Sequence, residues 1–441
     1  MTEHTHSLNH DVAERYLFGR YERFGEEKLP FEYVRLLPEY IGTKIPDNEV
    51  LFQKMIKSVI AYSYIEPENP YLYHTSYASA RGFNSNELVL EISGDNTRKY
   101  YIYDLKSDEW IFLHEEKVEE RRFVAYFHIL SNRGRLGAKY GDFGYILSLL
   151  DAGHFLENIK CFFEEERLSL NVDYNGYSNN NLGLLSKPYQ IVPLLKLDIS
   201  SVFINIDAVQ WSTEKTGILF FSNEYTGNSA GGLIDEFIDK VLNSQESLCE
   251  NFEDGIGYNT KVYVKDLWKR TSSQSAQGYS FFPYKCKQQL IDDLVYSISD
   301  LLQTMDDKIC AHIIVNDSNI SVYVVKNNGV YIKDYWDIDI NNIPHDSLDY
   351  VDLKNVSLVV ILSTNCNLYR KSEVQYQYTY IKMGEIAQRL SNICSLTDLS
   401  ARPMKNMNDL YIKEKLLGEE FDPGYLLVIG KSMNDSLKMS I

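Results

Sequence analysis

The chain lacks any excess of positive charge. Its 44 Lys and Arg stand against 62 Asp and Glu among 441 residues, a formal net charge of −18, and no Lys/Arg cluster reverses that balance locally. A nucleic-acid partner needs a basic face to meet its phosphates, so that class is excluded, and anionic membranes are disfavoured for the same reason. Long apolar runs are lacking as well; none approaches the length of a membrane span. The start, Met1-Thr2-Glu3-His4-Thr5-His6, lacks the basic-then-apolar pattern of a secretion signal, which points to the cytoplasm. Cysteine is sparse. The six residues Cys161, Cys249, Cys286, Cys310, Cys366 and Cys394 have neither metal-like nor redox spacing and read as reduced structural residues. No metal site is expected, and His4, His6 and His10 read as part of a polar, frayed terminus.

With 44% hydrophobic residues over 441 positions, the chain can bury the cores of two ordinary domains. An internal repeat organises it. Lys99-Tyr100-Tyr101-Ile102-Tyr103-Asp104 is echoed by Gly329-Val330-Tyr331-Ile332-Lys333-Asp334, with Tyr101 and Tyr331 230 apart. Ile129-Leu130-Ser131-Asn132 is echoed by Ile361-Leu362-Ser363-Thr364-Asn365 at a spacing of 232, and Gly153 falls opposite Gly384 at 231. Each half reads in one order. A helix (about 47–63; about 285–304) precedes β-rich segments (Leu88 to Ile92, Tyr100 to Leu105, Trp110 to Leu113; Ile320 to Val325, Val330 to Lys333). An apolar strand follows (Phe123 to Leu130; Val356 to Leu362), then a long helix (about 142–165; about 376–395) and a closing strand (Val192 to Ile199; Tyr425 to Ile429). That is an α+β pattern, a sheet covered by long helices. The boundaries it gives are an N-terminal extension (1–29), a first domain (30–205), a connector with some structure of its own (206–255) and a second domain (256–441).

Lys139-Tyr140 comes ahead of an apolar helix that continues into Asp151-Ala152-Gly153-His154. A lysine at the mouth of such an element can lose its charge by desolvation and act as a base near neutral pH. The string from Lys139 through Gly141-Asp142-Phe143-Gly144-Tyr145 to Asn158 resembles the helix motif of the nitroreductase-like flavoproteins of the SagB/ThcOx type, which dehydrogenate azolines in ribosomal peptides. The second copy is similar to the same family in Met383-Gly384-Glu385-Ile386-Ala387-Gln388-Arg389-Leu390 and in Gly424-Tyr425-Leu426-Leu427-Val428-Ile429-Gly430-Lys431. The resemblance implies a tandem duplicated nitroreductase-like fold whose halves form a pseudo-dimer.

What the resemblance implies for the site is asymmetric. In the family one domain offers an Arg-x-Ser and a basic residue after its last strand to the flavin phosphate, while the partner covers the ring with a Pro-Ser-Ala-Gly-like loop. The second copy carries Lys269-Arg270-Thr271-Ser272 and Lys431, and guanidinium, ammonium and hydroxyl groups are what a phosphate needs. The first copy has Ser200 opposite Lys431. Conversely it has Ser76-Tyr77-Ala78-Ser79-Ala80-Arg81-Gly82, a version of the ring-covering loop in which Ser79, Ala80 and Gly82 are the matching residues. The second copy has Cys310-Ala311-His312-Ile313-Ile314 near that place, and Arg370-Lys371 where the Lys-Tyr pair would be. One composite site thus survives and the other is lost. Read by themselves, Arg270 and Ser272 also suit the lead-in and cap of a helix, Lys431 suits a solvated strand end, and His154 suits a hydrogen-bonded core residue better than a catalyst.

The implied activity is an FMN-dependent dehydrogenase that turns thiazoline or oxazoline rings of a precursor peptide into azoles. A base takes the Cα proton and a hydride leaves Cβ for the flavin. Lys139 is either that base or the group that lowers the pKa of Tyr140. The implied partners are the precursor peptide and a cyclodehydratase complex, with further homo-oligomerisation open. Two alternatives stand beside this. One is an NAD(P)H-consuming nitro or quinone reductase on the same fold; the other is a non-enzymatic scaffold that binds peptide or cyclodehydratase.

Overall fold

The structure is a computed structural model and describes residues 50–66, 73–82, 84–105, 108–120, 122–133, 136, 140–174, 191–203, 237–238, 240–242, 244, 246, 248–252, 260–271, 281–303, 308–317, 320–334, 338–344, 353–366, 372–433 and 438–440. The chain divides into two compact units. The first gathers residues 1–61, 79–152 and 163–255, and the second gathers 62–78, 153–162 and 256–441. The boundaries thus cross the chain several times, because two segments of the first half pack with the second.

In chain order the elements begin with α1 (Val50–Met55), continued by a π turn to Ile60, then β1 (Tyr62–Ile65), β2 (Tyr73–Thr75), β3 (Asn86–Gly94), β4 (Thr97–Asp104), β5 (Glu109–Lys117) and β6 (Val124–Asn132). Next come α2 (Phe143–Glu166), β7 (Leu170–Asp173), β8 (Ile191–Asp198) and β9 (Cys249–Phe252). The second half supplies β10 (Phe281–Phe282), α3 (Gln288–Gln303), β11 (Ile309–Val315), β12 (Ser321–Lys326), β13 (Gly329–Asp334), β14 (Leu358–Asn365), α4 (Glu373–Leu396), β15 (Ser400–Met404), β16 (Phe421–Ser432) and β17 (Met439–Ser440).

The first unit is built on an antiparallel sheet in the order β5-β4-β3-β6-β8-β7-β9. Asp95 and Asn96 make the two-residue turn between β3 and β4 with φ of 50° and 62°, the left-handed pair whose twist matches that of the strands it joins. Rings fill its core: Phe52 stacks on Phe203 at 4.9 Å, and Trp110 lies parallel to Phe127 at 6.1 Å. Strand β9 comes from the connector read at 206–255, so part of that segment extends the sheet.

The second unit carries the order β10-β16-β14-β11-β12-β13, with β15 also on β16. Helix α4 is buried along nearly its whole length. It starts where Ser372 accepts a hydrogen bond from the Gln375 amide at 3.3 Å, an N-cap that satisfies one otherwise orphaned donor. A small third sheet, β17-β1-β2, joins the chain's end to residues 62–75.

The two large sheets repeat one topology, β5-β4-β3-β6-β8 in one and β13-β12-β11-β14-β16 in the other. Helices α2 and α4 each span 24 residues and begin 230 apart. Pro193 and Pro423, also 230 apart, each sit beside a break in register against the neighbouring strand, because proline has no N–H to give the ladder. One sequence match does not fit this equivalence. Tyr101 lies on β4 and Tyr331 on β13, whereas the counterpart of β4 is β12; the likeness of those two segments reflects shared strand patterning. The segment Cys310 to Ile314 is the inner strand β11, the counterpart of β3, with residues buried on both faces.

Candidate functional site

Within the second unit, segment 153–162 of α2 lies against α4. A Cβ on Gly153 would stand 1.9 Å from the Ile381 carbonyl oxygen and 2.8 Å from the Cα of Gly384. The two glycines that the repeat aligns therefore meet backbone to backbone, and no larger residue fits. This approach draws the polar side chains of both helices into one buried network. Gln388 is its hub: its side-chain oxygen accepts from the Ala78 amide and from His154 Nδ1, both at 3.0 Å, and its amide nitrogen donates to Asn392 at 2.9 Å and Asn158 at 3.3 Å. His154 Nε2 accepts from the Tyr425 hydroxyl at 3.0 Å. Burial, with the nearby Arg270 charge, lowers the His154 pKa to about 3. The imidazole is neutral and partnered on both sides, a structural histidine as the sequence suggested.

A second, ionic cluster lies further along the same helices. Lys160 and Lys382 both donate to Glu385, at 2.7 and 3.0 Å, and Arg389 lies 3.4 Å from Glu157. Burial raises the Glu157 pKa, opposed by Arg389 and reinforced by the Glu385 charge.

Arg270 follows a 3-10 turn, Val264–Lys269, and is 6% exposed. Its Nε donates to the Ser76 carbonyl at 3.1 Å and its Nη2 to the Tyr77 carbonyl at 3.4 Å. Among the described residues the next helix begins at Gln288, and Arg270 does not cap that helix. No carboxylate among the described residues pairs with this guanidinium. Half-buried Lys438 donates from Nζ to the Arg270 main-chain carbonyl at 3.0 Å. A buried guanidinium with no carboxylate partner among the described residues is costly without an anion.

In the first unit, the loop expected to cover the ring is tied to one carboxylate. Asp151 accepts from the Ser79 hydroxyl at 2.8 Å, the Ala80 amide at 3.0 Å and the Ser85 hydroxyl at 2.9 Å. Its burial outweighs those donors and raises its pKa to about 6. Gly82 turns the loop with φ of 67°, in the left-handed region, and its amide donates to the Ser79 carbonyl at 3.1 Å. Tyr140 is half-buried, its ring edge-on to Phe143 at 6.3 Å. Lys139, Ser272, Arg370 and Lys371 lie outside the described residues. Lys431 is exposed and pairs with Asp398; it does not join Arg270. The loop's Ser76 and Tyr77, and Asp151, were not singled out as site residues by sequence reasoning.

Among solved structures, a protein from Anabaena variabilis ATCC 29413 described as a nitroreductase superposes with a TM-score of 0.68 at 14% identity, over 96% of this chain and 99% of that one. The chain has the nitroreductase fold. A match of that kind spans both halves, as the duplicated sheet order requires. A Ralstonia eutropha JMP134 protein also described as a nitroreductase matches at a TM-score of 0.31 and 14% identity, over 38% of this chain and 82% of that one. A chain of the E. coli McbBCD microcin synthetase complex with truncated pro-MccB17 bound matches at 0.29 and 14% identity, over 44% of this chain and 80% of that one. Scores of that size bear on neither fold nor function. No protein-family model and no curated protein matches the sequence.

The residues of the second unit fit a phosphate-bearing cofactor such as FMN. The observation is Arg270, a buried guanidinium that, among the described residues, donates to two main-chain carbonyls and pairs with no carboxylate. Among the described residues no helix is long and apolar enough to cross a membrane.

Proposed function

We propose that this chain is an FMN-dependent dehydrogenase that oxidises thiazoline or oxazoline rings in a ribosomally made precursor peptide to the aromatic azoles. The nitroreductase fold supports a flavin enzyme, and buried Arg270, with no carboxylate partner among the described residues, is the observation that carries the reading. FMN, when bound, supplies a two-electron acceptor. Arg270 would hold the phosphate by charge-assisted hydrogen bonds. Ser79, Ala80 and Gly82 would shape the loop along the ring, kept in place by Asp151. Lys139 would take the substrate Cα proton, or lower the pKa of Tyr140 so that the phenol does. Aromatisation supplies the driving force, so the protein's share is positioning and proton transfer. A cyclodehydratase partner and a cytoplasmic setting belong to the same proposal.

Turnover of a thiazoline-bearing peptide tests it. A general base contributes about 10²- to 10⁴-fold, so Lys139→Ala is expected to abolish measurable oxidation while leaving flavin content and thermal midpoint near the parent's. Tyr140→Phe loses less if the phenol only orients the lysine, and comparably much if it accepts the proton. Full turnover by Lys139→Ala would place the chemistry elsewhere. Bleaching of the flavin by NADPH in stopped flow would instead identify a reductase. The scaffold reading is favoured by one observation, the commitment of Lys431 to Asp398, and a colourless protein that stays colourless after FMN is added would support it.

A further inference from the structure

We infer that His154 is a positioning residue: through Gln388 it holds the main-chain N–H of Ala78, and so fixes the segment 76–78 that runs on into the loop expected over the flavin ring. The inference rests on the flavin reading for what that loop covers.

Within the second unit, the crossing of segment 153–162 with α4 repeats itself about a local two-fold axis, and its two arms differ in chemistry. The spacing of 231 that aligns Gly153 with Gly384 also aligns His154 with Glu385, Glu157 with Gln388, Asn158 with Arg389 and Cys161 with Asn392. The contacts follow the same pairing. The bond from Gln388 to Asn158 at 3.3 Å is answered by the one from Arg389 to Glu157 at 3.4 Å, and the bond from Asn392 to Asn158 at 3.0 Å by the contact of Arg389 with Cys161 Sγ at 3.6 Å. One arm is thus made of neutral groups and the other of charges. The charged arm reaches the Thr260 carbonyl, to which Arg389 Nη2 donates at 3.0 Å. The neutral arm reaches the segment 76–78: Ala78 donates its amide to Gln388 at 3.0 Å, and Asn158 Nδ2 donates to the Ser76 hydroxyl at 3.0 Å.

A glutamine amide can face either way, and only one way suits Ala78; turned round, its NH2 group would meet the Ala78 N–H donor to donor. On the nitrogen side of Gln388 stand three acceptors, Asn392 Oδ1 at 2.9 Å, Asn158 Oδ1 at 3.3 Å and the Ser76 carbonyl at 3.4 Å. On the oxygen side the side-chain donor is His154 Nδ1 at 3.0 Å. Nε2 of the same ring accepts from the Tyr425 hydroxyl at 3.0 Å, so Tyr425 keeps the proton on Nδ1, where Gln388 needs it. His154, Asn158, Gln388 and Asn392 are buried, and an unmet donor or acceptor there is costly. The residue aligned with His154 in the charged arm is Glu385, and a carboxylate has no proton to give to an amide oxygen. The neutral arm and the surviving loop therefore belong together.

The test sets two substitutions at one position against each other in the full chain. Asparagine places its Nδ2 where Nδ1 stands and can still donate to Gln388; leucine fills the space and cannot. In His154→Leu, amide exchange at Ala78, read by mass spectrometry without flavin, should quicken about tenfold, the scale of one lost hydrogen bond. FMN and riboflavin, which lacks the phosphate, should both bind about tenfold more weakly by fluorescence titration, because the loop lies along the ring and not the phosphate. His154→Asn should stay close to the parent in exchange and in both affinities, and unchanged exchange in strand β14 guards against a general loss of fold in either variant. Unchanged Ala78 exchange in His154→Leu, or a His154→Asn as impaired as His154→Leu, overturns the inference. Faster exchange at Ala78 with both flavin affinities unchanged overturns it too, by making the tie structural alone. In each of these cases the flavin reading stands. A parent chain that binds neither flavin overturns that reading and the positioning role with it.

Discussion

Asp151 holds three donors from a single loop with a carboxyl that burial has pushed to about 6. A carboxyl whose folded pKa is raised lends stability that is complete below its unfolded pKa, near 4, and is lost as pH rises through the folded value. The thermal midpoint should therefore fall between about pH 4 and pH 7, with Glu157 contributing in the same direction. In Asp151→Asn the amide oxygen still accepts from Ala80 while the serine hydroxyls rotate to suit, so the fold survives and the slope in this window shrinks; calorimetry across pH reads it, and an unchanged slope would assign the dependence to Glu157 and other groups. Arg270→Ala should weaken FMN binding at least about tenfold, the scale of one charge-assisted contact, with riboflavin affinity unchanged; equal FMN affinity in parent and variant would make Arg270 a purely structural tie for the Ser76 and Tyr77 carbonyls. Arg270 was legible because Arg-Thr-Ser is a pattern. The bond its carbonyl accepts from Lys438 was not, since that lysine lies in a polar tail where a two-residue strand leaves no period to read.

At the scale of elements, periodicity carried most of the fold. Helices read at 142–165 and 376–395 are observed at Phe143–Glu166 and Glu373–Leu396, because long apolar stretches at helical spacing have few other fates. Strand β11 escaped: Ile309 to Val315 is apolar on both faces, so alternation, the usual mark of a strand, is absent. Strands β1, β2 and β17 are two to four residues long and exist only through their partners. The Gly153 contact was visible as a repeat match, but its reason, two backbones touching, needed the structure. Gly153→Ala should cost at least about 2 kcal/mol, toward the upper range for overpacking a filled core, because the obstacles 1.9 and 2.7 Å away are main-chain atoms. Gly94→Ala, where a Cβ would meet only Phe123 at 3.7 Å, is the control expected to change the thermal midpoint little. Equal midpoints for the two variants would mean the helices can move apart without loss.

The whole molecule is a duplication whose copies keep one topology and have diverged in their polar residues. Constant spacing of 230 from α2 to β8 and from α4 to β16 shows how faithfully the later half of each copy has been kept. The earlier strands are spaced differently, β3 and β11 beginning 223 apart, which is why a single offset misaligned Tyr101 with Tyr331. Divergence of the polar residues is the basis for expecting one flavin where a symmetric pair of domains would hold two. The second copy carries Arg270, and its sequence ahead of β11, the place matching the loop ahead of β3, reads Gln303-Thr304-Met305-Asp306-Asp307 and lacks the Ser79 to Gly82 pattern. The most direct measurement is the flavin released on denaturation after reconstitution with FMN, set against protein concentration. One FMN per chain is the predicted result; two per chain would contradict the loss of the second site, and none at saturating FMN would contradict a flavin enzyme altogether.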